Sequence, residues 1–142
     1  MIRKARFPSR MQNLVAAMLL AGLGVGSALG ADVKLTLSGA NEVPPVKTSA
    51  SGSGTITVGD DGAVSGSVSA TGVAGTAAHI HEGAAGANGP VIVPLTKDGD
   101  SYKVPDGAKL TPAQLASFKA GNLYVNVHSA ANPNGEIRAQ MK

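Results

Sequence analysis

The sequence predicts an all-β fold, a Greek-key β-sandwich or flattened barrel of about eight strands with one short helix. Three observations predict it. Beyond residue 30 the chain is rich in Gly, Val, Thr, Ser and Ala, and only Tyr102, Phe118 and Tyr124 are aromatic, a composition unsuited to a helix bundle. Apolar and polar residues alternate with period two in several short runs. Gly, Pro, Asn and Asp punctuate those runs at close intervals, as turns between strands require.

The elements follow in order. Val33, Leu35 and Leu37 alternate with Lys34, Thr36 and Ser38, the pattern of a strand buried on one face. Pro44 and Pro45 end it, because neither donates a backbone N–H to a ladder. Residues 54–58 and 63–69 flank the turn Gly59-Asp60-Asp61-Gly62 and read as a hairpin, with both aspartates as turn residues. Strands are expected at 76–81 and 91–95, separated by a Gly-rich loop over 83–89. The helix lies within 110–121: Thr111 caps it, Pro112 opens it, Gln114 completes a capping box and Gly121 stops it. Leu115 and Phe118, three apart, face the body of the domain. The last two strands, 123–128 and 136–141, are joined through the turn signal Asn134-Gly135.

Twelve Lys and Arg against nine Asp and Glu make the whole chain basic. Four of those bases, Arg3, Lys4, Arg6 and Arg10, precede an apolar stretch from 14 to 29 that ends in Ala28-Leu29-Gly30. This is the pattern of an export signal cleaved near Gly30/Ala31. Residues 1–30 are therefore expected to be a signal peptide, and 31–142 a single domain working in a periplasm or outside the cell. That domain keeps eight bases against nine acids, so no nucleic-acid footprint is expected. No transmembrane segment is expected in it either. With no cysteine in the chain, burial and sheet hydrogen bonds have to hold the fold without disulfides.

Few reactive constellations are available. No Gly-x-Ser-x-Gly elbow presents a serine, the Gly-rich loop lacks the Gly-Lys-Ser/Thr ending of a phosphate cradle, and no two carboxylates are brought together by spacing. No catalytic residues are assigned. The three histidines, His79, His81 and His128, all fall in expected strands. Side chains alternate across a strand, so His79 and His81 share one face, roughly 7 Å apart at their Cβ atoms. Leu123, Val125 and Val127 take the apolar face of the later strand, leaving Tyr124, Asn126 and His128 on the other. If the two strands are neighbours, three imidazoles converge, a donor set suited to copper, zinc, nickel or iron, with Cu²⁺ heading the affinity order. The alternative is that the histidines only hydrogen-bond loop backbone. Around such a site Glu82, Tyr124, Asn126 and Arg138 are the expected supporting residues. Glu136 and Arg138 flank Ile137 and are expected to face away from the core, in a cross-strand ion pair or hydrogen bond.

The segments LSGANEVPPV (37–46), AHIHEG (78–83), NGP (88–90), LYVNVH (123–128) and NGEIRAQ (134–140) resemble, in order, the signatures of the CHRD (chordin) domain family. The resemblance runs from about Lys34 to Met141. It implies a secreted or periplasmic β-rich domain, found alone in many bacterial proteins and repeated in animal chordins, with no established enzymatic activity. Ala139 departs from the glycine more usual there. A second stretch, from Gly54 through the hairpin to His79-Ile80-His81-Glu82, is similar to copper-zinc superoxide dismutases. That similarity implies copper ligation by His79, His81 and His128 and likens Arg138 to an anion-guiding arginine. The chain departs from those enzymes in having no metal-bridging histidine, no zinc ligands and no cysteine. Two functions are carried forward, an exported copper-favouring metal-binding domain and a non-catalytic domain that binds protein or glycan, with dismutase-like redox chemistry as a third.

Overall fold

The computed structural model describes residues 30–142; the expected signal peptide, except Gly30, lies outside the described residues. The described chain runs β1 (Ala31–Ser38), a 3-10 turn (Gly39–Asn41), β2 (Ser51–Val58), β3 (Val64–Thr71), β4 (Gly75–Glu82), β5 (Val91–Pro94), β6 (Thr96–Asp98), β7 (Ser101–Lys103), α1 (Pro112–Lys119), β8 (Leu123–Ser129) and β9 (Ile137–Met141). All strand pairings are antiparallel, in the order β5-β4-β8-β9-β1-β2-β3-β7-β6. The two edge strands are consecutive in the chain and separated by Leu95 alone, whose N–H donates to Ala78 O at 3.0 Å. The sheet is thus a nearly closed, flattened barrel.

The period-two runs explain the interior. Leu35, Leu37, Ile56, Val68, Ile80, Val125, Val127 and Ile137 point inward and are almost fully buried. The hairpin of β2 and β3 is longer than its apolar pattern, pairing from Ser51↔Thr71 to Val58↔Val64. The small hairpin of β6 and β7 was not expected: its strands have three residues each and only Tyr102 is buried, too short a run to show a period. The helix forms as expected, with Thr111 Oγ1 accepting from the Gln114 N–H and Gln114 Oε1 accepting from the Thr111 N–H. Leu115 and Phe118 pack, partly buried, against the core.

The middle of the outer face of β4, β8 and β9 is also dry, which the period alone does not predict. His81, Tyr124, Asn126 and Arg138 are all under 10 % exposed. Two loops cover them, residues 39–46 and 83–90. Asn88 Nδ2 ties the second loop to the first by donating to Val43 O at 2.8 Å. The peptide bond between Val43 and Pro44 is cis.

Candidate metal centre

Register brings the histidines together. Strands β4 and β8 pair with Ala77 opposite His128, His79 opposite Asn126 and His81 opposite Tyr124. Directly opposed residues share a face, so all three imidazoles stand on the outer face of the same strand pair. Their ring centroids lie 4.7 to 5.9 Å apart. One nitrogen from each lies within 4.8 Å of the others. Ligands about 2.0–2.1 Å from one ion stand no more than about 4.2 Å apart, so small side-chain adjustments suffice to close the set.

Hydrogen bonds fix which nitrogens are free. His81 Nδ1 meets Gly89 O at 2.9 Å, and His128 Nδ1 meets Pro133 O at 2.9 Å. A carbonyl only accepts, so both Nδ1 atoms carry the proton and both Nε2 atoms keep a lone pair. His128 Nε2 accepts from His79 Nδ1 at 3.0 Å. His81 Nε2 is buried and has no hydrogen-bond partner. A buried acceptor left unpaired is costly, and an imidazole anchored through one nitrogen with the other bare is how a metal-binding histidine is oriented. Burial, then the neighbouring histidines, lowers the proton affinity of His79; burial also lowers that of His81, against the bond to Gly89. Neutral imidazoles are the form that binds a metal. The residues present fit an ion bound through three nitrogens.

The four supporting residues divide. The Tyr124 ring stacks on His81 with centroids 4.7 Å apart and an angle of 5° between the planes. Its hydroxyl accepts from the Gly89 N–H at 3.0 Å. Gly89 therefore holds both rings, and no larger residue fits, since a Cβ would run into Glu82 O. Arg138 comes from the strand on the other side of β8, with its guanidinium carbon 3.4 Å from the Tyr124 ring centroid. It donates to Ala84 O and Gln140 Oε1, both at 3.1 Å, and to Asn88 Oδ1 at 3.4 Å. Asn126 lies between the histidines and Arg138 in register. Glu82 is not among the residues whose ligand atoms converge, and alternation sets it on the face opposite His79 and His81.

Glu136 is hydrogen-bonded, with no cation paired to it: its carboxylate accepts from Ser129, Asn132 and Thr48 at 2.8 to 3.0 Å. Burial pushes this carboxyl up, but those three bonds hold it below the usual range. Sequence reasoning missed two members of the polar face. Gly89 and Glu42 stand in the sequence only as members of the segments 88–90 and 37–46, with no site role expected of either. Glu42 is 4 % exposed, and its carboxyl is pushed up to about 7 by burial, against the pull of Arg138 and Asn126. The signal available for both was their place inside two of the segments that carry the family resemblance, 37–46 and 88–90, but no spacing rule joins those segments.

Fold and cluster together define a class: an antiparallel β-barrel domain with three convergent imidazoles on its covered outer face. The family model for the CHRD domain matches residues 33–141, most of the chain, and the protein belongs to that family. Comparison with curated proteins and with solved structures gives no match. Among the described residues, no helix is long and apolar enough to cross a membrane.

Proposed function

We propose that this is an exported domain that binds one transition-metal ion, copper favoured, through His79, His81 and His128. The observation that carries the reading is the bare, buried Nε2 of His81 facing the nitrogens of His79 and His128. Three neutral nitrogens with no carboxylate or thiolate among them suit late transition metals, and Cu²⁺ heads that order among the divalent ions. Residues 1–30 supply export and residues 31–142 the working domain. The domain's own residues do three things: they present lone pairs, hold the imidazoles against Gly89 O and Pro133 O, and exclude water from one side of His81.

Titration of the purified protein with Cu²⁺ and Zn²⁺ tests this, with a His79→Ala/His128→Ala variant alongside. One-to-one binding is expected in the wild type and its loss in the variant. A metal at 100 times its Kd should also raise stability by about 2.7 kcal/mol. Binding no tighter than micromolar, with the variant merely less stable, would sink this reading and leave the alternative, a protein- or glycan-interaction domain with structural histidines. The 3.0 Å bond between His79 and His128 is what favours that second reading. Dismutase-like turnover gains no support from Arg138, which is 1 % exposed and committed to the covering loop.

A further inference from the structure

Three buried side-chain atoms among the described residues have no hydrogen-bond partner: His81 Nε2, Asn126 Oδ1 and Glu42 Oε1. The metal reading accounts for the first. Asn126 Oδ1 is the next to explain, for its residue is 2 % exposed and directly opposes His79 across the strand pair. Its amide is oriented, because Nδ2 donates to Asn134 O at 3.4 Å. Turning the amide over would set oxygen against that carbonyl oxygen. The Asn126 side chain reaches the His81 ring closely enough to support a proton there, but with that ring's proton on Nδ1 neither Nε2 nor Oδ1 has a hydrogen to offer the other.

Two acceptors thus lie close together in a dry place with no hydrogen between them. His81 has no proton to offer at Nε2, since Nδ1 carries it. Either a donor molecule or a cation has to fill the gap, and one nitrogen from each of His79 and His128 lies within 4.8 Å of a His81 nitrogen. We propose that Asn126 Oδ1 is the fourth donor of the metal site, which makes the set three imidazole nitrogens and one amide oxygen. This rests on the three-histidine reading and extends it. An uncharged oxygen completes four-coordination without adding a negative charge, and it lies on the same rigid strand as His128, two residues away. A water molecule donating both its hydrogens is the other occupant, and the experiment separates the two.

Co²⁺ is the probe, because its visible bands report coordination number and donor type, with Zn²⁺ competition for affinity. Wild type, Asn126→Ala and Asn126→Asp are compared. Asn126→Ala should weaken binding at least about tenfold, as losses next to a metal do, and should shift the bands. Asn126→Asp, which keeps an oxygen in place and adds a charge, should bind Co²⁺ at least as tightly as wild type and retain four-coordinate bands. An alanine variant with wild-type affinity and spectrum would overturn the assignment and leave the three-histidine site standing, with a water beside it. Weaker binding with an unchanged spectrum and no rescue by aspartate would also overturn it, reducing Asn126 to a positioning residue. A wild type that takes up none of Co²⁺, Zn²⁺ or Cu²⁺ would sink the metal reading itself.

Discussion

Strands β4, β8 and β9 have an inner face that is dry throughout and an outer face that is dry at its middle, and the two are chemically opposite. Inward lie Ile80, Val125, Val127 and Ile137, each 0 % exposed. Outward lie His81, Asn126 and Arg138, 1 to 7 % exposed. The inward face is dry because the barrel curls around it, and apolar burial needs no partners. The outward face is dry only because two loops lie over it, and each polar atom there needs a partner. The difference teaches where the molecule tolerates change: the interior answers to volume, the covered face to hydrogen bonds, charge and whatever fills the gap at His81 Nε2.

Substitutions can break that comparison, beginning with the interior. Ile80→Ala should cost about 2–5 kcal/mol in chemical denaturation, as buried truncations do, while the loops stay anchored. A loss below about 1 kcal/mol would mean the barrel interior is looser than its burial implies.

On the covered face, Arg138→Met keeps the side chain's length but removes the guanidinium. It should cost about 2–3 kcal/mol, from charged hydrogen bonds and the stack on Tyr124. Hydrogen exchange should show the cost as faster opening of residues 83–90. Unchanged protection of that loop would mean something else anchors it.

Glu42 sharpens the contrast through pH. Its folded value, about 7, lies above the ordinary 4.5, so the folded protein holds this proton more tightly than the unfolded chain. The stability it contributes is complete below pH 4.5 and is lost as pH rises through 7. Glu42→Gln should therefore stabilise the protein by about 1–3 kcal/mol at pH 8 relative to its effect at pH 4.5. His79 and His81, with lowered values, act in the other sense, weakening the fold as pH falls below about 6.5, equally in both proteins. Parallel stability curves for wild type and Glu42→Gln between pH 4.5 and 8 would refute the buried-carboxyl assignment.

The smallest effect belongs to Tyr124→Phe. It removes the hydroxyl bonded to Gly89 and should cost about 1 kcal/mol. Because Gly89 O also anchors His81, metal affinity should fall more than stability does, a split read by running both titrations on one preparation.

Much of this was legible in the residues, for a physical reason. Alternation assigns faces, so the common face of His79, His81, Tyr124, Asn126 and His128 follows once β4 and β8 are neighbours. The capping box at Thr111 and Gln114 is local and was equally readable. What alternation does not encode is the cover. Arg138 and Glu136 were expected to face away from the core, and they do, but Arg138 is buried by a loop 50 and more residues distant in sequence, and Glu136 joins the turn beside it to the distant Thr48. Glu42 entered the site by that same route. The β6–β7 hairpin escaped because three-residue strands carry no measurable period.

The single residue between β5 and β6 has a consequence for how such domains behave in company. Unpaired strand edges are where sheets of separate molecules join and begin to aggregate. Here the two outermost strands are tethered within one residue of each other, so the boundaries most prone to stick to another molecule are turned toward one another.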